Sequence, residues 1–306
     1  MRFDPDKPVA VVTGASSGIG RSTARGLVVR GWQVIGVGRD RQRSAAATVQ
    51  ITEAARGGGD FVMVRGDFTL MSEVERVADE VAALTPRLDV LVNNAGGVRS
   101  RRIITAEGTE ATFAANHLAP FLLTRKLMPL LADTAAGRPH GSVRVIAVSS
   151  NAHRMIGELD TADLQSLDQD NPVVAYGNAK LANILFTREL ARRAGPDGII
   201  AQAMHPGVVA SNFASHGPDA LQAHMAAADT VSPDEPAETL VWLATDPEGG
   251  RDGGRYFHRK TEEVPSAAAQ DDTAATTLWA ESENLLAELG FGGRLPTVPG
   301  QDAPGA

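Results

Sequence analysis

The chain has 306 residues, and its 43% hydrophobic and 22% charged content is typical of a globular protein rather than a disordered or fibrous one. A formal net charge of −8 argues against nucleic acid and anionic membrane surfaces as partners, because both need a basic face that no cluster of Lys and Arg supplies. The chain has no cysteine, which excludes disulfides, thiolate nucleophiles and Cys-based metal sites and is compatible with the reducing cytoplasm, where we expect the protein to be.

Short β-branched runs alternate with longer segments of helical period along most of the chain. The runs that predict buried strands are residues 9–12, 33–37, 61–64, 90–92, 143–148 and 199–203. The segments of helical period include residues 21–29, 72–84, 110–131 and 180–193, and residues 250–257 and 276–289 predict a last strand and a last helix. This alternation predicts an α/β fold, namely a single-domain, Rossmann-like, doubly wound parallel sheet with helices on both faces.

The domain is expected to span residues 1–293, with a substrate lid at about 208–236 and a C-terminal extension at about 258–293. Residues 294–306 are rich in Gly and Pro and are expected to form a flexible tail.

The polar residues 1–8 leave no room for the apolar region of a signal peptide. Because no apolar stretch approaches the ~20 residues of a spanning helix, we expect no membrane anchor.

The first predicted strand runs into a glycine-rich turn, Thr13-Gly-Ala-Ser-Ser-Gly-Ile-Gly20, that opens a helix. Glycines between a strand and a helix let backbone N–H groups and the positive helix end approach a pyrophosphate without interference from Cβ atoms. The spacing G-x-x-x-G-x-G differs from the common G-x-G-x-x-G fingerprint, so the structural context carries the argument. The turn predicts a dinucleotide-binding site.

The second predicted strand ends at Gly38-Arg39-Asp40, where the residue that meets the adenosine ribose is expected. An acidic residue at position 38 would bond both ribose hydroxyls and repel a 2′-phosphate. Gly38 removes that repulsion, and the guanidinium of Arg39 can pair with phosphate. The sequence therefore favours NADP(H), while NAD(H) is also accepted if the carboxylate of Asp40, rather than Arg39, faces the ribose.

The same turn also matches the nucleophile elbow of α/β hydrolases, because Gly14-Ala-Ser16-Ser-Gly18 has the form G-x-S-x-G. Such an elbow follows several strands and an upstream oxyanion loop. Only one predicted strand precedes Ser16, so the position argues against a hydrolase.

Tyr176 and Lys180 lie four residues apart, which places them on the same face if the segment is helical. A fixed cation beside a phenol favours the phenolate and lowers a pKa that is ordinarily near ~10. Tyr176 would then work as an acid or a base. A Tyr-x-x-x-Lys pair also occurs by chance on amphipathic helices, so it needs support from other motifs.

Five motifs occur in an order that resembles the short-chain dehydrogenase/reductase family. They are Thr13-Gly-Ala-Ser-Ser-Gly-Ile-Gly20, Asn93-Asn-Ala-Gly96, Ser149-Ser150, Tyr176-x-x-x-Lys180 and Pro206-Gly207. Four longer segments look further like the retinol-dehydrogenase-like branch of that family. These are Asn116-His-Leu-Ala-Pro-Phe-Leu-Leu-Thr124, Val148-Ser-Ser-Asn-Ala-His153, Lys180-Leu-Ala-Asn-Ile-Leu-Phe-Thr187 and His205-Pro-Gly-Val-Val209. The resemblance covers about residues 8–260.

The resemblance implies a catalytic tetrad of Asn116, Ser150, Tyr176 and Lys180. Tyr176 would exchange a proton with the substrate oxygen, and Ser150 would hydrogen-bond that oxygen. Lys180 would lower the pKa of Tyr176 and bind the nicotinamide ribose, and Asn116 would hold a water in a proton relay. Ser150 is preferred because it adjoins the loop towards Tyr176, and Ser149 is the alternative.

The resemblance also implies the cofactor contacts. Asp67 stands where the adenine amine is bound, and Ser211 replaces the usual Thr beside the nicotinamide carboxamide. The expected cofactor-binding residues are Gly14, Ser16, Ser17, Gly18, Ile19, Gly20, Arg39, Asp67, Phe68, Asn93, Ala95, Gly96, Tyr176, Lys180, Pro206, Gly207, Val209 and Ser211.

Together these inferences predict an NADP(H)-preferring oxidoreductase that interconverts a lipophilic alcohol and its aldehyde or ketone. The alternative is a non-catalytic NADP(H)-binding sensor or scaffold with the same fold.

The resemblance implies a homodimer or homotetramer paired through residues 110–131 and 176–193, an interface that the extension after Phe257 is placed to block. No metal is expected, because the seven histidines form no i, i+4 pair with a carboxylate.

Overall fold

One eight-stranded sheet organises the chain in the computed structural model, which describes residues 3–292 except residues 56, 169, 212 and 214. The strands are β1 (Val9–Thr13), β2 (Gln33–Gly38), β3 (Asp60–Arg65), β4 (Val90–Asn93), β5 (Val143–Val148), β6 (Ile199–Met204), β7 (Arg255–His258) and β8 (Thr261–Glu262). Their spatial order is β3-β2-β1-β4-β5-β6-β7-β8. β1 to β7 run parallel and β8 pairs antiparallel with β7. The reversal of order between β1 and β4 confirms the predicted doubly wound sheet.

Helices cover both faces of the sheet, as predicted. They are α1 (Gly18–Val29), α2 (Arg41–Glu53), α3 (Met71–Leu84), α4 (Ala111–Phe113), α5 (Ala119–Ala135), α6 (Pro172–Ala194), α7 (Asp219–Ala227), α8 (Asp234–Thr245) and α9 (Asp272–Glu288). On one face α3, α5 and α6 contribute core residues such as Leu122 and Leu185, and on the other α1, α2 and α8 contribute Leu27 and Leu240. Each fully buried leucine supplies about 2 kcal/mol of hydrophobic stabilisation.

The central strands β1, β2, β4, β5 and β6 are buried along their whole length. Burial on both faces accounts for their appearance in the sequence as continuous β-branched runs rather than alternating patterns. The register places Val12 beside Gly36 on one side and Val92 on the other. The carboxyl ends of β1, β2 and β4 therefore meet at one edge, where the ligand crevice of such sheets lies.

Two helical segments carry candidate residues towards that edge. Asn171 caps α6 by accepting hydrogen bonds from the backbone of Val173 at 3.1 Å and Val174 at 3.3 Å, with Pro172 in the first turn. α6 therefore begins before the predicted residue 180 and includes Tyr176. A π-helical segment, Ala114–Leu118, connects α4 to α5 and contains Asn116. Wide turns of this kind are frequent at functional sites.

The C-terminal extension packs α9 against α5 and α6. The ring of Trp279 lies 4.9 Å from that of Phe121 and stacks on Phe186 at 5.8 Å with 18° between the planes. The guanidinium carbon of Arg193 lies 4.6 Å from the Trp279 ring centroid. α9 thus covers part of the face through which the resemblance implies subunit pairing.

Two expectations concern the ends of the chain and the membrane. The predicted tail, residues 294–306, lies outside the described residues, and the 1–293 domain boundary stays a prediction. Across the described ranges, no helix combines the length and the apolar character that crossing a membrane requires.

Candidate active site

The glycine-rich turn between β1 and α1 has a conformation that favours glycine. Gly14 has φ +72° and Gly18 has φ +51°. A Cβ atom on Gly14 would lie 2.7 Å from Nδ2 of Asn94, and one on Gly20 would lie 2.4 Å from the carbonyl oxygen of Gly14. The turn therefore presents bare backbone at the N-terminus of α1, which fits the pyrophosphate of a dinucleotide.

Thr13 fastens this turn to the end of β4. Its hydroxyl accepts hydrogen bonds from the backbone N–H groups of Asn94 and Ala95, both at 2.9 Å. In return, the side-chain amide of Asn94 donates to the carbonyl oxygen of Thr13 at 2.8 Å. Hydrogen bonds thus join the two loops that are expected to hold the cofactor.

A cleft of about 610 Å³ opens along this edge of the sheet, a size suited to a small ligand or cofactor. The predicted site residues that line it are Gly14, Ser16, Ser17, Gly18, Ile19, Arg39, Asp67, Phe68, Ala95, Gly96, Ser150, Tyr176, Lys180, Pro206, Gly207, Val209 and Ser211. Residues far apart in sequence therefore share one cleft that fits a nicotinamide dinucleotide.

Three predicted site residues lie behind the cleft rather than on its wall. Gly20 lies inside α1. Asn93 is buried and donates a hydrogen bond from Nδ2 to the hydroxyl of Thr124 at 3.0 Å. Asn116 is fully buried, donates to the carbonyl oxygen of Gly97 at 2.8 Å and accepts from the N–H of Gly97 at 3.1 Å. Asn116 thus holds the loop after β4, and Asn93 joins the end of β4 to α5.

Ser150, Tyr176 and Lys180 converge where β5 ends and α6 passes. Ser150 follows the end of β5, and its side chain hydrogen-bonds that of Tyr176. The ammonium of Lys180 lies 5.4 Å from the Tyr176 ring centroid and donates to the carbonyl oxygen of Val148 at 3.0 Å. The helical spacing predicted from sequence thus brings the phenol and the ammonium onto one face.

The pKa values of this pair differ from the sequence-based expectation. Burial raises the pKa of the Tyr176 phenol above its ordinary value, and the hydrogen bond with Ser150 opposes that rise. We expected Lys180 to lower it. Burial, however, lowers the pKa of Lys180 itself to about 7, so its positive charge is only partly present at neutral pH. Desolvation is therefore the dominant influence on both groups.

The two adjacent serines have different surroundings. The hydroxyl of Ser149 donates to the carbonyl oxygen of Lys180 at 2.7 Å, and the side chain is buried. Ser150 is only half-buried, and its hydroxyl accepts a hydrogen bond from the backbone of Ala152 at 3.2 Å. The Ser150 hydroxyl also meets Tyr176. The geometry favours Ser150 over Ser149 as the serine that faces a substrate.

The residues after β2 form the far end of the cleft. A Cβ atom on Gly38 would lie 2.6 Å from the hydroxyl of Ser44 and 2.9 Å from Cβ of Ser16, so a larger residue does not fit there. Asp40 caps α2 by accepting from the backbone of Arg43 at 2.8 Å, and this hydrogen bond lowers its pKa. The guanidinium of Arg39 is 3.8 Å from Asp67.

Sequence reasoning missed a basic cluster at this end of the cleft. Arg99 follows the Asn93–Gly96 motif and was not among the predicted site residues. It is half-buried on the cleft wall, where burial and then the charge of Arg39 lower its pKa. Burial and then the charges of Arg99, Arg39 and Arg43 also lower the pKa of His216. Its place just after a strand at the ligand edge was the signal that could have identified Arg99.

A stack of histidines lies beside Gly207, which lines the cleft. The rings of His205 and His258 lie 4.1 Å apart with 11° between their planes. Together with Glu263 they bring potential metal ligands within 4.8 Å of one another, but one ion cannot lie in both stacked ring planes. The N–H of Gly207 instead donates to Nδ1 of His205 at 3.3 Å, and Nε2 lies 3.3 Å from Glu263. Burial lowers the pKa of His205 to about 4, so the ring is neutral at physiological pH.

Apolar side chains line part of the cleft, and one of them packs against the ring of Tyr176. The ring of Phe213 lies 5.1 Å from that of Tyr176. Further apolar lining comes from Met155, Val173, Val208, Leu221 and Met225. α7, within the expected lid, supplies the last two of these, so this segment contributes to the wall of the cleft.

Comparison with known proteins agrees with this arrangement. The model of the short chain dehydrogenase family matches residues 8–220. Human retinol dehydrogenase 14 is 35% identical over 296 residues, which cover 91% of this chain and 86% of the human protein. Bovine dehydrogenase/reductase SDR family member 13 is 38% identical over 306 residues, which cover 96% of this chain and 74% of the bovine protein.

A solved structure agrees as well. The Pseudomonas aeruginosa RhlG/NADP active-site complex superposes with a TM-score of 0.66 at 26% identity, over 87% of this chain and 100% of that chain. The sequence motifs, the sheet order and these similarities agree with one another. The chain belongs to the retinol-dehydrogenase-like branch of the short-chain dehydrogenase/reductase family and is an NAD(P)-dependent oxidoreductase that acts on CH–OH groups.

Proposed function

We propose that the chain is an NADP(H)-preferring oxidoreductase that interconverts a lipophilic alcohol and its aldehyde or ketone, with Tyr176 as the general acid and base. The observation that carries this proposal is the meeting of Ser150, Tyr176 and Lys180 at the open side of the cleft. A bound nicotinamide cofactor supplies or accepts the hydride there.

Each of these side chains has a task that suits its surroundings. In the reducing direction, the phenol of Tyr176 donates its proton to the substrate oxygen. Its raised pKa keeps this proton in place until negative charge develops on that oxygen. Ser150 hydrogen-bonds the same oxygen. Lys180 would hold the ribose hydroxyls of the cofactor, and a ligand oxygen beside its ammonium would favour the charged form. Asn116 would contribute indirectly, by holding the loop after β4 in place through its two hydrogen bonds to the backbone of Gly97.

The preference for NADP(H) is supported by the charges at the far end of the cleft. Arg99 and His216 line the cleft together with Arg39, and, besides burial, repulsion by the charge of Arg39 lowers the pKa of each of them. A 2′-phosphate would relieve that repulsion. The carboxylate of Asp40 caps α2, so it is engaged away from the role that would favour NAD(H).

Affinity measurements with NADPH and NADH test this preference. We expect Arg39→Leu and Arg99→Leu each to weaken NADPH binding about tenfold or more and to leave NADH binding unchanged, since a hydrogen bond to a charged group contributes about 1.5–3 kcal/mol. Arg41→Leu is the matched control, because Arg41 is exposed at the start of α2 and does not line the cleft. Equal losses for both cofactors, or none for NADPH, would contradict the preference.

Turnover with a panel of aliphatic, aromatic and steroid carbonyl compounds tests the chemistry. We expect Tyr176→Phe to lower kcat at least about 100-fold while NADPH still binds. The control is Tyr256→Phe, since Tyr256 is buried outside the cleft and its hydroxyl has no hydrogen-bond partner among the described residues. Turnover retained by Tyr176→Phe would refute the mechanism, and NADPH binding without any turnover would favour the sensor or scaffold alternative.

Subunit pairing and location stay predictions. α9 packs on the α5 and α6 face through the ring of Trp279, so we propose that a homodimer or homotetramer uses a face that α9 leaves uncovered. Sedimentation analysis tests this, and a monomer at all concentrations would contradict it. Cell fractionation tests the proposed cytoplasmic location.

A further inference from the structure

His153 connects the segment that carries Ser150 to the C-terminal extension. Its side chain is fully buried in the short 3₁₀ helix that begins directly after Ser150. Nδ1 lies 2.7 Å from the carbonyl oxygen of Ser150, and Nε2 lies 3.1 Å from the backbone nitrogen of Ser266. Ser266 lies in the extension, beyond β8. One imidazole therefore spans two segments that are 113 residues apart.

The partners of His153 determine which nitrogen carries the proton. The backbone N–H of Ser266 can only donate, so Nε2 accepts. In a neutral imidazole the proton then resides on Nδ1, which donates to the carbonyl oxygen of Ser150. Burial lowers the pKa of His153, which is consistent with a neutral ring. Both nitrogens are thus used, and the ring cannot turn over without losing both hydrogen bonds.

The surroundings restrict the ring further. It meets Tyr256 of β7 edge to face, with 5.3 Å between centroids and 75° between planes. Ser150 is in turn held at two points. Nδ1 and the backbone N–H of His153 both donate to its carbonyl oxygen, at 2.7 Å and 3.1 Å, and the N–H of Ala152 donates to its hydroxyl. The position of the Ser150 hydroxyl beside Tyr176 therefore depends on the peptide group of Ser150, whose carbonyl oxygen His153 binds.

We propose that His153 is a positioning residue for the reaction, which holds the Ser150 peptide through Nδ1 while the C-terminal extension holds His153 through the backbone of Ser266. This inference rests on the proposed catalytic role of Ser150. It gives the extension a function in catalysis besides its packing, because displacement of Ser266 would release the ring that orients Ser150.

Three substitutions of His153 separate positioning from simple anchoring. Asn places an amide N–H near the position of Nδ1, so it can still donate to Ser150. Gln places an amide oxygen near the position of Nε2, so it can accept from Ser266, but it leaves the Ser150 carbonyl with the backbone N–H of residue 153 as donor and without the side-chain donor. Leu removes both hydrogen bonds. We expect His153→Leu and His153→Gln to lower kcat by about 10- to 100-fold, as small misplacements of catalytic groups do, and His153→Asn to stay within about threefold of the wild type.

The measurements are kcat and KM for a carbonyl substrate, the dissociation constant of NADPH, and the thermal midpoint of each variant. We expect the NADPH constant to change less than about twofold, since a positioning role affects the reacting oxygen rather than cofactor binding. Ser282→Ala is the matched control. It removes another buried hydrogen bond between a histidine and the extension, which joins His117 to Ser282 at 2.9 Å, without contact to Ser150.

The outcomes are distinguishable. If His153→Gln is as active as the wild type or more active than His153→Asn, the ring only anchors the extension and the proposal is wrong. A kcat for His153→Leu within about twofold of the wild type also overturns it. If Tyr176→Phe retains turnover, the proposed function fails independently. If Tyr176→Phe is inactive and all His153 variants are fully active, the proposed function stands and only the positioning role of His153 is wrong.

Discussion

Lys180 predicts a dependence of stability on pH that can be measured without any substrate. Its side chain is only 4% exposed, and its ammonium donates a hydrogen bond to the carbonyl oxygen of Val148. Within the described part of the chain, no carboxylate lies within ion-pair distance of it. Burial therefore lowers the pKa of Lys180 from 10.5 to about 7.

The sign follows from proton binding in the two states. Between about pH 7 and 10 the unfolded chain keeps the Lys180 proton and the folded protein loses it, so stability rises with pH by up to about 1.4 kcal/mol per unit. From pH 7 to pH 9 the gain amounts to about 2 kcal/mol. The lowered pKa values of His117 and His205 act below about pH 6.5, and the raised pKa of Tyr176 acts only above about pH 10.

Urea unfolding of the cofactor-free protein, followed by the fluorescence of its three tryptophans, measures this effect. We expect the free energy of unfolding of the wild type to rise between pH 7 and pH 9 and that of Lys180→Met to stay nearly flat over the same range. Subtracting the two curves removes the contribution of every other titrating group. Parallel curves would show that Lys180 keeps an ordinary pKa and would refute the reasoning.

Three further predictions concern the turn, a buried carboxylate and the C-terminal helix. Gly14→Ala, at φ +72°, should weaken NADPH binding about tenfold in a fluorescence titration, and an unchanged affinity would contradict the proposed role of the Thr13–Gly20 turn in holding the pyrophosphate. Asp89→Asn should lower the free energy of unfolding by about 3 kcal/mol, since the carboxylate is 2% exposed and pairs with Arg138; a loss below about 1 kcal/mol in urea would contradict this. Trp279→Ala should cost about 3 kcal/mol by removing the ring packed on Phe121, and an unchanged urea midpoint would contradict that packing.

Much of the fold was predictable because its central parallel strands are buried on both faces. Continuous β-branched runs, such as those at the positions of β1, β2, β4, β5 and β6, are typical of strands with this kind of burial, and the strand β7 was predicted within a few residues. The glycine turn and the Tyr176 motif were placed by their relation to those strands. Since the carboxyl ends of parallel strands share one edge, a correct strand order already brings the site residues together.

Other features depend on packing that the sequence pattern does not encode. α2 was not predicted, because among its residues only Ser44, Ala47 and Ile51 are buried and its apolar periodicity is weak. β8 is a two-residue, exposed strand that exists only as the partner of β7. The pKa values of Tyr176 and Lys180 depend on how completely neighbouring segments exclude water, which spacing along a helix cannot show.

The packing of α9 has a consequence for the order in which the protein can fold during synthesis. Phe121 and Phe186 leave the ribosome well before Trp279, the residue that stacks on Phe186 and covers Phe121. At about 5–20 residues per second, translating the 93 residues from 186 to 279 leaves these rings uncovered for roughly 5–20 s. We therefore expect the nascent chain to expose an aromatic surface of the kind that chaperones bind, and to lose it once α9 docks.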